Sequence, residues 1–256
     1  MTQITGCGSS DPNNSNNPSN KQIVDKFNDF LKMFPSEDLT FLYDKDGSVS
    51  SIDGGYIEGG RGLGTEDKGT WTISSYIKTK EDESPIATFG ISLKFNKNTK
   101  KATGNLIFRK GEIDNKYPIY YDEEGLHLLN EDIPDNIKEG FSKFKMMYEF
   151  IELDREYLDS LEVTKIMYNG NSPIFDASYK LNKDDENIAK IKELYPNLII
   201  DENNCALELY GRGIPWNSQG RLSLEIVLDK ERNTYFTSAM SFGKSKNLDD
   251  VTQGGE

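Results

Sequence analysis

The chain holds one histidine, His127, and two cysteines, Cys7 and Cys205, so few of its side chains suit acid–base work near neutral pH, thiolate chemistry or zinc binding. His127 stands in Gly125-Leu126-His127-Leu128-Leu129. A Ser-His-Asp site could use that imidazole, but no G-x-S-x-G elbow accompanies it, and a strand histidine beside a turn is the plainer expectation. The cysteines lie far apart without CxxC spacing, so neither a zinc site nor a disulfide framework is expected. Asp44-Lys45-Asp46-Gly47-Ser48 opens like a calcium loop. Val49 and Gly55 then occupy the places where an EF-hand needs its glycine and its bidentate glutamate, and a plain turn is expected. Gly59-Gly60-Arg61-Gly62-Leu63-Gly64 could cradle phosphate, yet Thr65-Glu66-Asp67 follows and puts negative charge where the phosphate would sit. The carboxylate runs Asp122-Glu123-Glu124 and Asp184-Asp185-Glu186 fall in a polar turn and at a helix start, unlike the apolar setting of a glycosidase acid. No catalytic residue, metal site or cofactor is therefore assigned, and the chain is expected not to be an enzyme.

One short motif does imply chemistry. Ile4-Thr5-Gly6-Cys7 fits a lipobox: an aliphatic residue, a small one, glycine, then the cysteine. The Cys7 thiol would be alkylated by a diacylglyceryl group, and the small residues before it would let a signal peptidase cleave there. Cys7 would then be the mature N-terminus. Only Met1–Gly6 precede it, so the charged region and the apolar stretch of a signal are expected to have been trimmed from this sequence. In that form the chain should be soluble.

The elements that must carry these groups follow from pattern. Residues 8–20 are Gly, Ser, Asp, Pro and Asn, a polar leash with nothing to bury. Ile23, Phe27, Phe30, Leu31 and Phe34 recur at helical spacing up to Pro35, and Leu39, Leu42 and Tyr43 suggest a short further turn. The glycine-rich stretch 47–69 reads as a mobile hairpin or long loop. Strands are expected over 69–78, 86–95 and 102–109, with a shorter pair at 117–121 and 126–129. A helix opened by Asp135 should carry Ile137, Phe141, Phe144, Met147, Tyr148 and Ile151, followed by a second segment from Asp154. A strand at 175–181 and a helix from Asp184 to Tyr195, ended by Pro196, come next. Strands at 206–210, 222–228 and 235–242 close the pattern. Strands and helices in separate blocks indicate an α+β fold, antiparallel β-sheet with helices packed alongside. The expected organisation is a leash at 1–20, a single domain at 21–245 and a polar tail at 246–256.

Composition limits the partners. With 43 acidic and 30 basic residues the net charge is -13, which repels phosphate backbones and anionic headgroups. Nucleic acid is not expected as a partner. The 13 Phe, 13 Tyr and 2 Trp supply a real core, which rules out a wholly disordered chain. No stretch approaches the roughly 20 apolar residues needed to span a bilayer.

Several blocks resemble the staphylococcal tandem lipoproteins. They are Leu31-Lys32-Met33-Phe34-Pro35 with Leu42-Tyr43-Asp44-Lys45-Asp46-Gly47, then Asp67-Lys68-Gly69-Thr70-Trp71-Thr72-Ile73, then Asn96-Lys97-Asn98-Thr99-Lys100 with Gly104. Lys116-Tyr117-Pro118, Tyr179-Lys180-Leu181 before Asp184, Leu222-Ser223-Leu224-Glu225 and Asn233-Thr234-Tyr235-Phe236-Thr237 complete the series. Their order spans about residues 22 to 243, and the glycine-rich stretch between Gly47 and Asp67 looks longer than is usual in that family. The resemblance implies a surface protein of a Gram-positive coccus, anchored to the outer face of the cell membrane by lipid on Cys7, without known catalysis. It also implies host immune sensing through the lipidated N-terminus and a part in entry into host cells, with host-cell proteins as partners. The protein is expected to be a monomer. The alternative kept beside this reading is a cell-envelope carrier holding an apolar ligand between sheet and helices.

Overall fold

A computed structural model describes residues 20–36, 38–47, 49–50, 56–57, 67–80, 84–169, 174–212 and 221–243. Cys7, the leash up to Ser19, the tail and Gly59–Gly64 lie outside the described residues, while Asn20, expected in the leash, is already helical.

The chain opens with helix α1, Asn20–Leu31, and a 3-10 turn, Thr40–Tyr43. Strands β1, Val49–Ser50, and β2, Tyr56–Ile57, pair antiparallel, so the described parts of the glycine-rich stretch form a hairpin. Then come β3, Thr70–Thr79, β4, Ala87–Asn96, β5, Lys101–Lys110, β6, Ile113–Asp122, and β7, Gly125–Leu128. Helices α2, Asp135–Lys143, α3, Met147–Phe150, and α4, Arg155–Ser160, lead to β8, Glu162–Asn169, and β9, Ile174–Lys180. Helix α5, Glu186–Leu194, precedes β10, Ala206–Arg212, β11, Arg221–Val227, and β12, Thr234–Gly243.

All strands from β3 onward form one ten-stranded antiparallel sheet in the order β7-β6-β5-β4-β3-β12-β11-β10-β9-β8. It consists of two meanders, β3 to β7 and β8 to β12, joined where β3 pairs with β12 from Thr70↔Gly243 to Thr79↔Thr234. The α+β expectation is met.

Alternation assigns the faces. Trp71, Ile73, Ser75 and Ile77 of β3 align with Phe95, Leu93, Ile91 and Phe89 of β4, and with Phe242, Met240, Ser238 and Phe236 of β12. This face is the core, and α1, α3 and α5 cover it with Phe27, Phe30, Tyr148 and Ile188, all fully buried. Phe27 meets Phe175 edge-on at 5.1 Å, and the Tyr148 hydroxyl donates to the Ala239 carbonyl at 3.1 Å. Burying side chains of this size stabilises the fold by about 1.5–3 kcal/mol each.

Three expectations are corrected. The helix from Asp135 does not run to Ile151; it ends at Lys143, Phe144 is extended, and a separate turn forms at Met147–Phe150. Docking on the sheet competes with helix continuation there. The Met147 N–H donates to Ser75 Oγ at 3.0 Å, and the Met146 N–H donates to the Glu149 carboxylate at 2.6 Å. Strand β8 was not expected, because a register shift between Val163 and Lys165 breaks its alternation. Strand β6 also starts earlier than expected, since Ile113–Lys116 is exposed and pairs with the end of β5 beyond the core.

Candidate functional site

The groups singled out in the sequence are separated in the fold. His127 lies on β7 at one edge of the sheet. Its ring stacks on Tyr120, centroids 4.6 Å apart and 15° from parallel, and its Nε2 is 2.9 Å from Asp122 Oδ1. Asp122 also accepts the Glu124 N–H at 2.9 Å. Partial desolvation acts upward on the Asp122 carboxyl, but the Glu124 N–H and His127 outweigh it and hold it below the usual range. Among the described residues no Ser, Thr or Cys side chain is hydrogen-bonded to His127. The pair therefore fastens a hairpin turn: strand geometry brings His127 opposite Tyr120, and the tight turn bends Asp122 back toward it.

The other carboxylate run is also structural. Asp185 caps α5, accepting from the Asn187 and Ile188 N–H groups at 3.0 and 3.3 Å, and takes a bond from the Tyr157 hydroxyl at 2.8 Å. The calcium-like run is a turn in which Asp44 pairs with Lys100. Among the described residues no group of three or more His, Cys, Asp or Glu side chains is placed to hold a metal ion.

Beneath that turn lies a node the sequence did not disclose. The Lys45 carbonyl accepts from Trp71 Nε1 at 3.1 Å and from Lys97 Nζ at 2.6 Å. Lys97 is almost wholly buried, and its desolvation lowers its pKa, with Asp46 acting in the opposite sense. The Lys97 N–H reaches the Gly69 carbonyl at 3.0 Å, so this lysine ties the root of the β1–β2 hairpin to the β4–β5 turn. Lysines are almost never buried without a partner, and only the three-dimensional neighbour explains this one.

Among the described residues the sheet–helix interface is lined by fully buried side chains such as Phe27, Phe30 and Tyr148, and concavities lie outside it. One is an open groove of about 1410 Å³ between the end of α5 with the loop after it, at Leu194–Ile199 and Asp201, and the β11–β12 turn, Asp229–Thr234, with Thr79, Lys80 and Lys143 at its sides. In the loop Leu198 and Ile200 pack on the core while Ile199 faces out, 76% exposed, beside Leu194 at 36%. Asp229 stabilises the facing turn, accepting the Glu231, Asn233 and Thr234 N–H groups at 3.0, 3.0 and 2.6 Å. The sequence held one signal for this groove: the apolar run Leu198-Ile199-Ile200 sits after Pro196 where neither helix nor strand was expected to continue. Two smaller hollows flank α4 and share Tyr157 and Ser160. No helix among the described residues is long and apolar enough to cross a membrane.

Comparison with known proteins supplies what the geometry alone does not. A sequence model of the Csa1 family matches residues 19–245. An uncharacterized lipoprotein of Staphylococcus epidermidis is 31% identical over 254 residues, covering 95% of this chain and 92% of that protein. Uncharacterized lipoproteins of Staphylococcus aureus strains MSSA476 and MW2 are each 29% identical over 266 residues, covering 98% of this chain and 91% of theirs.

Proposed function

Since the chain belongs to the Csa1 family, a family of staphylococcal lipoproteins, we propose that it is a non-enzymatic surface lipoprotein held to the outer face of the cell membrane by lipid on Cys7. The observation that carries this reading is similarity over most of the chain to proteins named lipoproteins, 95% of this chain against 92% of one of them, with a lipobox cysteine ahead of the family match at residues 19–245. Two or three acyl chains, each burying methylenes worth about 0.8 kcal/mol, make such an anchor stable. The body then works by contact, and host-cell proteins, immune stimulation and cell entry are the proposed setting. A monomer is supported by how the sheet edges are blunted: β7 has 4 residues, and β8 carries a register shift and Lys165.

The test is expression of the full gene with its native signal, followed by membrane fractionation and mass analysis of the N-terminus. Membrane-bound protein with a lipid-modified Cys7, released by Cys7→Ser, is the expected result. A soluble, unmodified wild-type protein would overturn the anchor. Protease shaving of intact cells reads which side the body occupies.

A further inference from the structure

The groove between Leu194–Ile199 and the Asp229–Thr234 turn combines exposed apolar side chains with an excess of unpaired negative charge. Ile199 is the most exposed of the large hydrophobic residues among those described, with Pro196 on the same loop and Leu194 at the end of α5 lining the same groove. Lys143 is neutralised by Glu139 at 2.6 Å. Among the described residues Lys80 and Lys230 stand without an ion-pair partner, and so do the carboxylates of Asp201, Asp229, Glu231 and the adjoining Glu193. The local balance is therefore negative, on a body whose net charge is -13. An apolar strip flanked by carboxylates complements a segment that is apolar on one face and basic on the other, and the long-range field of the body would steer such a segment in.

We propose that this groove binds cationic amphipathic peptides, their apolar face on Leu194 and Ile199 and their basic side chains beside Glu193, Asp201, Asp229 and Glu231. The assignment names a partner class for the contact role proposed above, and needs that reading only for access from outside. The groove's affinity is measured on the unlipidated chain, so loss of anchoring and loss of binding are distinguished.

The experiment titrates a fluorescein-labelled leucine/lysine amphipathic peptide with the full chain and follows anisotropy, at low and high salt. A leucine/glutamate peptide of the same pattern is the control. Binding should be saturable and salt-sensitive, and the control should not bind. The double variant Leu194→Ser/Ile199→Ser should weaken binding about tenfold, and Glu193→Lys/Glu231→Lys should do the same at low salt only. All four side chains are exposed, and an unchanged circular-dichroism melt verifies the fold of each variant. Equal affinity of the serine variant and the parent would overturn the proposal, since the peptide would then be reading net charge alone. Tighter binding of the glutamate peptide would overturn it in favour of an acidic ligand held by Lys80 and Lys230.

Discussion

Trp71 and Phe242 face each other across the β3–β12 pair, ring centroids 4.7 Å apart and 54° from parallel. They belong to the first strand of one meander and the last strand of the other, so their contact closes the seam between the two halves of the sheet. The Phe242 ring also lies against Gly47 and Gly69, where an added Cβ would come within 2.4 and 2.2 Å of it.

Phe242→Ala should therefore cost about 3–5 kcal/mol of stability, the range of a large aromatic lost from a core. Gly69→Ala should also destabilise, because Gly69 has φ of 85° and the methyl would strike the ring. Chemical denaturation of the purified variants measures both. A Phe242→Ala protein as stable as the parent would mean the seam is held by backbone pairing alone.

Lys97 offers a finer test. Lys97→Ala removes both the buried stem and the ammonium bonded to the Lys45 carbonyl, and should cost about 1–3 kcal/mol. Lys97→Met keeps most of the stem and sheds the cost of a desolvated charge, so it should cost clearly less. Equal losses in the two variants would show that the hydrogen bond, not the packing, decides.

At the other end of the sheet Phe175 lies over Gly211, and a Cβ there would fall 2.1 Å from the ring. Gly211→Ala should destabilise by about 1–3 kcal/mol, the cost of overpacking a fitted site. Thermal melts read it. In the Phe175→Leu background the penalty should shrink, because the flat ring that requires a glycine beneath it is gone.

Cys205 is buried, and desolvation followed by the charge of Asp201 pushes its thiol up to about 11. In Cys7→Ser protein a thiol reagent at pH 8 should leave Cys205 unlabelled in the native state and label it on unfolding. Because the folded thiol holds its proton more tightly than the unfolded one, its contribution to stability is complete below the ordinary thiol range. That contribution is lost as pH rises through that range toward 11. Rapid native labelling would show that the α5–β10 connection opens.

The long buried strands were legible because their inner faces alternate strictly: Phe89, Ile91, Leu93 and Phe95 read as a strand before any neighbour is known. Strand β8 was not, since its shift in register puts Val163 and Ile166 out of step, and an edge position leaves Val163, Met167 and Tyr168 exposed. Helix α2 was legible in where it starts but not in its cap, since Pro134 takes the cap position and Asp135 lies in the first turn, and its end was set by Ser75, more than sixty residues earlier in the chain, through the hydrogen bond to Met147. The groove was nearly silent for a related reason. Its two walls come from the Leu194–Ile199 loop and the Asp229–Thr234 turn, and only the finished sheet brings them together.

The last strand among the described residues, β12, lies at the middle of the sheet rather than at its margin. A ribosome that has released residues up to Val227 has produced the first meander and β8 to β11, but not the strand that unites them. Native assembly thus waits on β12, whose ten-residue pairing with β3 joins segments remote in sequence, a slow kind of closure. Until β12 emerges the sheet stays in two parts, and the chain stays unfinished and so threadable.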